Sequence, residues 1–182
     1  NIDMFSICTP ASRHARETIL GAVAGKHMLI EKPVATNLDD LHAMAEAVAR
    51  SGVKTVVSFV LRWNEMVANA KSLIASGALG RVFYVQTDYW YSSSFGKTGS
   101  GWQAPHDALL LGGCHAVDLA RYLMDADATS VTALGFNVDP DNTSMANTTA
   151  LLEFANGRVG KVSAITEAGM PYVFNVEVFG TE

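Results

Sequence analysis

The chain has 182 residues, of which 49% are hydrophobic and 17% charged, an ordinary globular composition with enough apolar material for a packed core. A formal net charge of −5 and the lack of any Lys/Arg cluster exclude a nucleic-acid surface, and no stretch is long and apolar enough to make a membrane span. Cys8 and Cys114 lie far apart and fit no CxxC pattern, so a reducing, cytoplasmic location is expected.

Taken in chain order, residues 3–8 are a short apolar run stopped by Thr9-Pro10, which predicts a buried strand entering a turn. Ser12 is the expected cap of a helix running to about Ala24, with Gly25 as its stop. A second strand covers residues 27–30. Proline has no N–H for a ladder, so Glu31-Lys32-Pro33 must end it. Asn37 caps the next helix, with Asp39 and Asp40 in its first turn and Leu41, Met44, Ala45 and Val48 as its apolar stripe. Gly52 closes it, and residues 53–59 form a third, β-branched strand. Strand–helix alternation of this kind predicts a parallel sheet with crossover helices.

The pattern then changes. A helix is expected at residues 68–74, a long strand at 81–91, a Gly/Ser-rich loop at 92–101 and a helix at 114–124. Ala150, Leu152 and Phe154 alternate with Thr149, Leu151 and Glu153, and Asn156-Gly157 signals a hairpin. Strands at 159–165 and 174–178 follow. One-sided alternation predicts an antiparallel sheet with one wetter face. The fold class is therefore α/β: a partial Rossmann parallel sheet over residues 1–61, then an incomplete α+β domain with an open, mainly antiparallel sheet over residues 62–182. A sheet of two or three parallel strands leaves apolar faces and edges open, so the chain reads as a fragment at both ends, with a complete small α/β protein as the alternative.

Four patterns occur in a fixed order: Cys8-Thr9-Pro10 with His14 four residues on, Ala24-Gly25-Lys26-His27 leading into Glu31-Lys32-Pro33, then Arg62, then Gly112-Gly113-Cys114-His115-Ala116-Val117-Asp118. Together they resemble the Gfo/Idh/MocA family, the glucose–fructose oxidoreductase and inositol dehydrogenase group, over nearly the whole chain. The resemblance implies NAD or NADP as cofactor and a sugar, polyol or derivative as substrate. It also implies a Gly-x-Gly-x-x-Gly phosphate loop that these residues lack, since Gly99-Ser100-Gly101 has no third glycine and opens no helix. Weak cofactor binding, or none, is expected of this chain alone.

Lys32 is the first catalytic candidate. A lysine at the carboxyl end of a parallel strand faces the crevice where ligands bind in such sheets, and its ammonium can hold oxyanion character as hydride leaves carbon. The resemblance implies that role, and implies that Glu31 contacts the cofactor ribose. Residues alone allow an ordinary exposed charge pair before a proline. His115 is the second candidate, since a histidine near neutral pH can accept the hydroxyl proton. Asp118, three residues on, shares its helix face. The alternative is a histidine buried between helix and sheet. The family often has an aspartate four residues before the histidine; here that residue is Leu111. Thr9, Pro10, His14, Glu31, Lys32 and Arg62 are the expected cofactor contacts. Lys32, Trp90, Trp102, His115 and Asp118 are the expected substrate contacts, the aromatics because their faces stack on sugar C–H surfaces.

His106, Asp107, Cys114, His115 and Asp118 invite a metal reading, but their spacing matches no compact zinc motif and no metal is expected. Homo-oligomerisation through the open sheet is expected, as the family commonly pairs there. The function these readings converge on is hydride transfer between NAD(P) and a hydroxyl carbon. A non-catalytic dinucleotide-sensing regulator of the same fold, or an isolated assembly domain, remains the alternative.

Overall fold

The structure is a computed structural model that describes residues 2–92 and 107–182. It divides into two compact units, Asn1–Phe59 and Val60–Glu182. No helix among the described residues is long and apolar enough to cross a membrane.

The first unit alternates β1 (Met4–Ile7), α1 (Ala11–Val23), β2 (His27–Ile30), α2 (Leu38–Ser51) and β3 (Thr55–Val57). The strands pair in parallel in the order β1-β2-β3, with Ile7 opposite Ile30 and Ile30 opposite Val57. Ile7, Met28 and Ile30 pack with Ala15, Ala22, Met44 and Ala47 of the helices. Each large apolar side chain so buried contributes roughly 1.5–3 kcal/mol. The opposite face, with Met4, Leu29 and Val56, is exposed within this unit.

Asn37 caps α2 as its residue type predicts, its Oδ1 accepting from the Asp40 N–H at 2.8 Å. Ser12 does not cap α1. The helix opens at Ala11 behind Pro10, without a side-chain cap, and the Arg13 N–H reaches the Pro10 carbonyl at 2.8 Å. Proline already has a helix-compatible φ and no N–H to satisfy, so the helix starts earlier than serine capping implies.

The second unit begins with a 3-10 turn (Val60–Trp63) and α3 (Glu65–Ala75), capped by Asn64. Next come β4 (Tyr84–Trp90), a π-helical turn (Leu109–Gly113), α4 (Cys114–Met124) and the strands β5 (Ala128–Phe136), β6 (Asn147–Phe154), β7 (Val159–Ile165) and β8 (Val173–Phe179). The sheet order is β5-β6-β7-β4-β8. Three of its pairings are antiparallel, but β4 and β7 run parallel, so the sheet is mixed at its middle.

The core lies on one face only, where Val85, Ala150, Leu152, Phe154 and Val162 meet Ala116, Ala120, Leu123 and Met124 of α4. Sequence patterning missed β5. It is an edge strand exposed on both faces, so no buried alternate residue marks it.

Candidate functional site

In the first unit the chemistry-bearing residues gather where the parallel strands end. The β2 ladder stops with the Glu31 N–H on the Ile7 carbonyl (2.9 Å) and the Ser58 N–H on the Ile30 carbonyl (2.8 Å). Glu31 and Lys32 leave the sheet partly exposed, and Pro33 is buried behind them. The Lys32–Pro33 peptide is cis. The Lys32 N–H donates to Glu31 Oε2 at 3.2 Å, which turns that carboxylate back over the strand end. Thr9 and Pro10 stand at the end of β1, partly exposed, with Thr9 Oγ1 donating to Glu17 at 2.5 Å. His14 is buried, its ring between the carbonyls of Thr9 and Pro33.

In the second unit His115 stands in the first turn of α4, directly after the π-turn, a local widening of the helix that recurs at functional sites. Its ring lies against Tyr89 of β4, with centroids 5.7 Å apart and planes 20° from parallel. The approach depends on glycine. A Cβ on Gly112 would stand 2.5 Å from the Tyr89 ring, and one on Gly113 would stand 2.7 Å from the Ala164 Cβ. Tyr89 also meets Tyr91, Tyr172 and Phe174 edge-on or tilted. Burial, with the hydrogen bond to Tyr172, pushes the Tyr89 hydroxyl well above its ordinary range, so it stays neutral at any physiological pH.

Asp118 lies one turn beyond His115 and is buried. Both its oxygens are taken by Arg62, with Nε to Oδ2 at 2.7 Å and Nη2 to Oδ1 at 2.5 Å. The hydrogen bond to Asp118 raises the Arg62 pKa despite partial burial. The guanidinium also stands over the Tyr122 ring at 5.0 Å. A bidentate fork of this kind fixes both partners, so Asp118 holds Arg62 and the 3-10 turn against α4.

Trp90 is not brought to His115. Successive strand residues face opposite sides. Tyr89 therefore faces α4, whereas Trp90 joins Asp88 on the open face, donating to Ser163 Oγ at 2.6 Å beneath Lys161. There Asp88 is fully buried and accepts from Lys161 (2.6 Å), Ser163 (2.5 Å) and Gln86 (2.9 Å). Burial works to raise the Asp88 pKa, but these hydrogen bonds outweigh it and hold the carboxyl below its usual range. Trp102, His106 and the Gly99-Ser100-Gly101 stretch lie outside the described residues.

A model described as the GFO/IDH/MocA C-terminal domain matches residues 67–182. One described as an oxidoreductase family with an NAD-binding Rossmann fold matches residues 1–59. The chain belongs to the Gfo/Idh/MocA oxidoreductase family. It is 31% identical over 189 residues to scyllo-inositol 2-dehydrogenase (NAD(+)) of Bacillus subtilis strain 168, and all of this chain aligns with 54% of that protein. Against levoglucosan dehydrogenase of Pseudarthrobacter phenanthrenivorans it is 31% identical over 219 residues, with the same coverage of each. The solved structure of a levoglucosan dehydrogenase in complex with NADH and levoglucosan matches with a TM-score of 0.90 at 31% identity, over 100% of this chain and 53% of that one. The chain spans about half the length of the relatives it matches.

Within the Gfo/Idh/MocA frame, Tyr89 is the residue against His115 that sequence reasoning passed over. The only available signal was the glycine pair directly before Cys114-His115, which marks a close backbone approach without naming what is approached.

Proposed function

We propose that the protein oxidises a hydroxyl carbon of a cyclic polyol or sugar by hydride transfer to NAD(P)+. The observation that carries the reading is Lys32 at the carboxyl end of the central parallel strand, in a unit matched by an NAD-binding family model. The family relatives are named for scyllo-inositol and levoglucosan, both rich in ring hydroxyls.

The residues present fit the cofactor's reactive end. Thr9, Pro10 and Glu31 are partly exposed at the strand ends, and α1 opens there with no acidic residue in its first turn and no side-chain cap. When bound, the nicotinamide supplies the hydride acceptor. Glu31 would accept from a ribose hydroxyl, Thr9 and Pro10 would border the cofactor, and Arg62 would supply positive charge to it. Lys32 donates to the substrate oxygen and steadies the charge that develops there. His115 takes the hydroxyl proton, with Tyr89 behind it fixing the ring plane. Asp118 serves this site by locking Arg62.

The open sheet face supports association between copies. Leu134 of β5 and Leu151 of β6 are 77% and 51% exposed on it, a size of apolar side chain that soluble monomers rarely cluster. Sedimentation of Leu151→Glu against the parent checks this, with the parent running as the larger species.

The activity test is reduction of NAD+ and NADP+ by the intact protein with a panel of inositols, aldoses and anhydrosugars. Turnover of at least one ring polyol is expected. No reduced cofactor with any of them would sink the proposal.

A further inference from the structure

The π-helical turn (Leu109–Gly113) that leads into His115 is poorly supported by its own residues. Two of its five residues are glycines, each costing a helix about 1 kcal/mol relative to alanine, and a π-turn widens the regular i→i−4 ladder. Its head is held from outside. The Asp107 carbonyl accepts from the Leu110 and Leu111 N–H groups, both at 3.0 Å. The Asp107 carboxylate reaches the other way, Oδ1 accepting from the Met145 N–H at 2.7 Å, and the Met145 carbonyl accepts from the Ala108 N–H at 2.8 Å. Met145 is a firm anchor for this clasp. It belongs to the connection between β5 and β6, where the Asn137 amide donates to the Asn142 and Ser144 carbonyls and Asn137 Oδ1 accepts from the Ala146 N–H. Glu167 takes the Val138 and Asp139 N–H groups of the same connection, and the Ala146 carbonyl accepts from the Thr166 N–H and hydroxyl. The Met145 side chain lies across Gly135, where an added Cβ would stand 2.6 Å from its Sδ.

We propose that Asp107 is a positioning residue, which by clasping Met145 fixes the head of the π-turn and so sets the His115 ring against Tyr89. Just beyond His115, the Thr87 hydroxyl donates to the Ala116 carbonyl at 2.8 Å. The histidine therefore lies between two ties to the sheet and its connections, one before the turn and one after it. A stacked pair with centroids 5.7 Å apart has little contact to hold it alone, so a shift of the turn parts the rings. Aspartate suits the place in two ways, with an accepting oxygen for the Met145 N–H and negative charge at the head of a helix. Asparagine keeps the first of these and loses the second.

The role of Asp107 rests on the reading of His115 as the proton acceptor, and two measurements on the intact protein separate them. Asp107 is exposed, so its replacement opens no core. In steady-state kinetics Asp107→Asn should keep kcat. Asp107→Leu, which has no acceptor, should lower kcat by roughly 10–10²-fold, up to the scale of a 1 Å misplacement, with cofactor affinity and polyol KM little changed. Equal kcat in parent and both variants overturns the proposal, as does a loss confined to affinity. A loss in Asp107→Asn as large as in Asp107→Leu assigns the effect to charge and overturns it too. Nuclear Overhauser contacts between the His115 and Tyr89 ring protons are read on the same proteins. They should persist in the parent and in Asp107→Asn and vanish in Asp107→Leu; contacts kept in all three overturn the proposal. His115→Ala is measured alongside. If that variant turns over normally the functional reading fails, whereas the ring contacts still decide the brace.

Discussion

The two sheets use their residues in opposite ways. In the three-stranded parallel sheet the candidate groups stand where strands stop, so their value depends on position along the chain. In the five-stranded sheet they stand on a face, so their value depends on register. Lys32 lies just past the end of β2, where the ladder closes at Glu31. Tyr89 and Trp90 are neighbours in sequence, yet one stacks on His115 and the other hydrogen-bonds Ser163 on the far side. A strand terminus tolerates error in reading; a pleated face does not.

The sharpest way to break that comparison is to remove the leading candidate from each unit in turn. Lys32→Ala and His115→Ala should each lower kcat and kcat/KM together by roughly 10²–10⁴-fold, with cofactor affinity kept. Steady-state kinetics on the intact protein, with cofactor titration alongside, decides it. If only one of them matters, the two units do not contribute equally to the chemistry.

The faces of the larger sheet can be separated next. Asp88 is fully buried on the open face and holds Lys161, so Asp88→Ala should cost about 3–5 kcal/mol by leaving a partly buried cation without its partner. The double variant Asp88→Ala with Lys161→Met should recover part of that loss. Denaturant unfolding measures both. If Asp88→Ala left stability intact but abolished turnover, the open face would be catalytic and the comparison wrong.

On the other face, Gly112→Ala should destabilise by about 1–3 kcal/mol, because the new methyl would sit 2.5 Å from the Tyr89 ring. It should also lower kcat, since His115 and Tyr89 must part. Gly157, whose added Cβ would meet nothing within 4 Å, is a control for the packing clash, although its positive φ brings a backbone cost of its own.

The smallest expected effect lies at the loop between β5 and β6. Glu167 accepts from the Val138 and Asp139 N–H groups and from the Asn142 and Asn147 amides. The Val138 N–H leads these in holding the carboxyl below its ordinary range. A depressed folded-state value means the contribution is present above the unfolded carboxyl's pKa and is lost as pH falls through the folded one. Glu167→Gln should cost on the order of 1 kcal/mol at neutral pH and flatten the acid limb of the melting-temperature profile. An unchanged acid limb would show that other carboxylates set it.

How much was legible in the sequence follows from the same distinction. Glu31-Lys32-Pro33 announced its own place, because a proline must end a central strand whatever surrounds it. Asn37 announced a helix start, because its side chain bonds the backbone locally. The alternation at 149–154 and the strand at 159–165 were visible because burial of one face imposes a period of two. Edge strand β5 has no buried face and left no such trace.

The sequence by itself determined the alternation of elements, the strand-end lysine and the histidine at the head of its helix, because each rests on contacts between near neighbours. Only the tertiary structure decided the rest. It paired Arg62 with Asp118 across 56 positions, turned Trp90 away from His115 and set Tyr89 there instead, and closed His14 between carbonyls 5 and 19 residues distant. Those outcomes depend on strand register and on which backbone groups remain unsatisfied after folding. Both are properties of the assembled sheets, and no local stretch of sequence carries them.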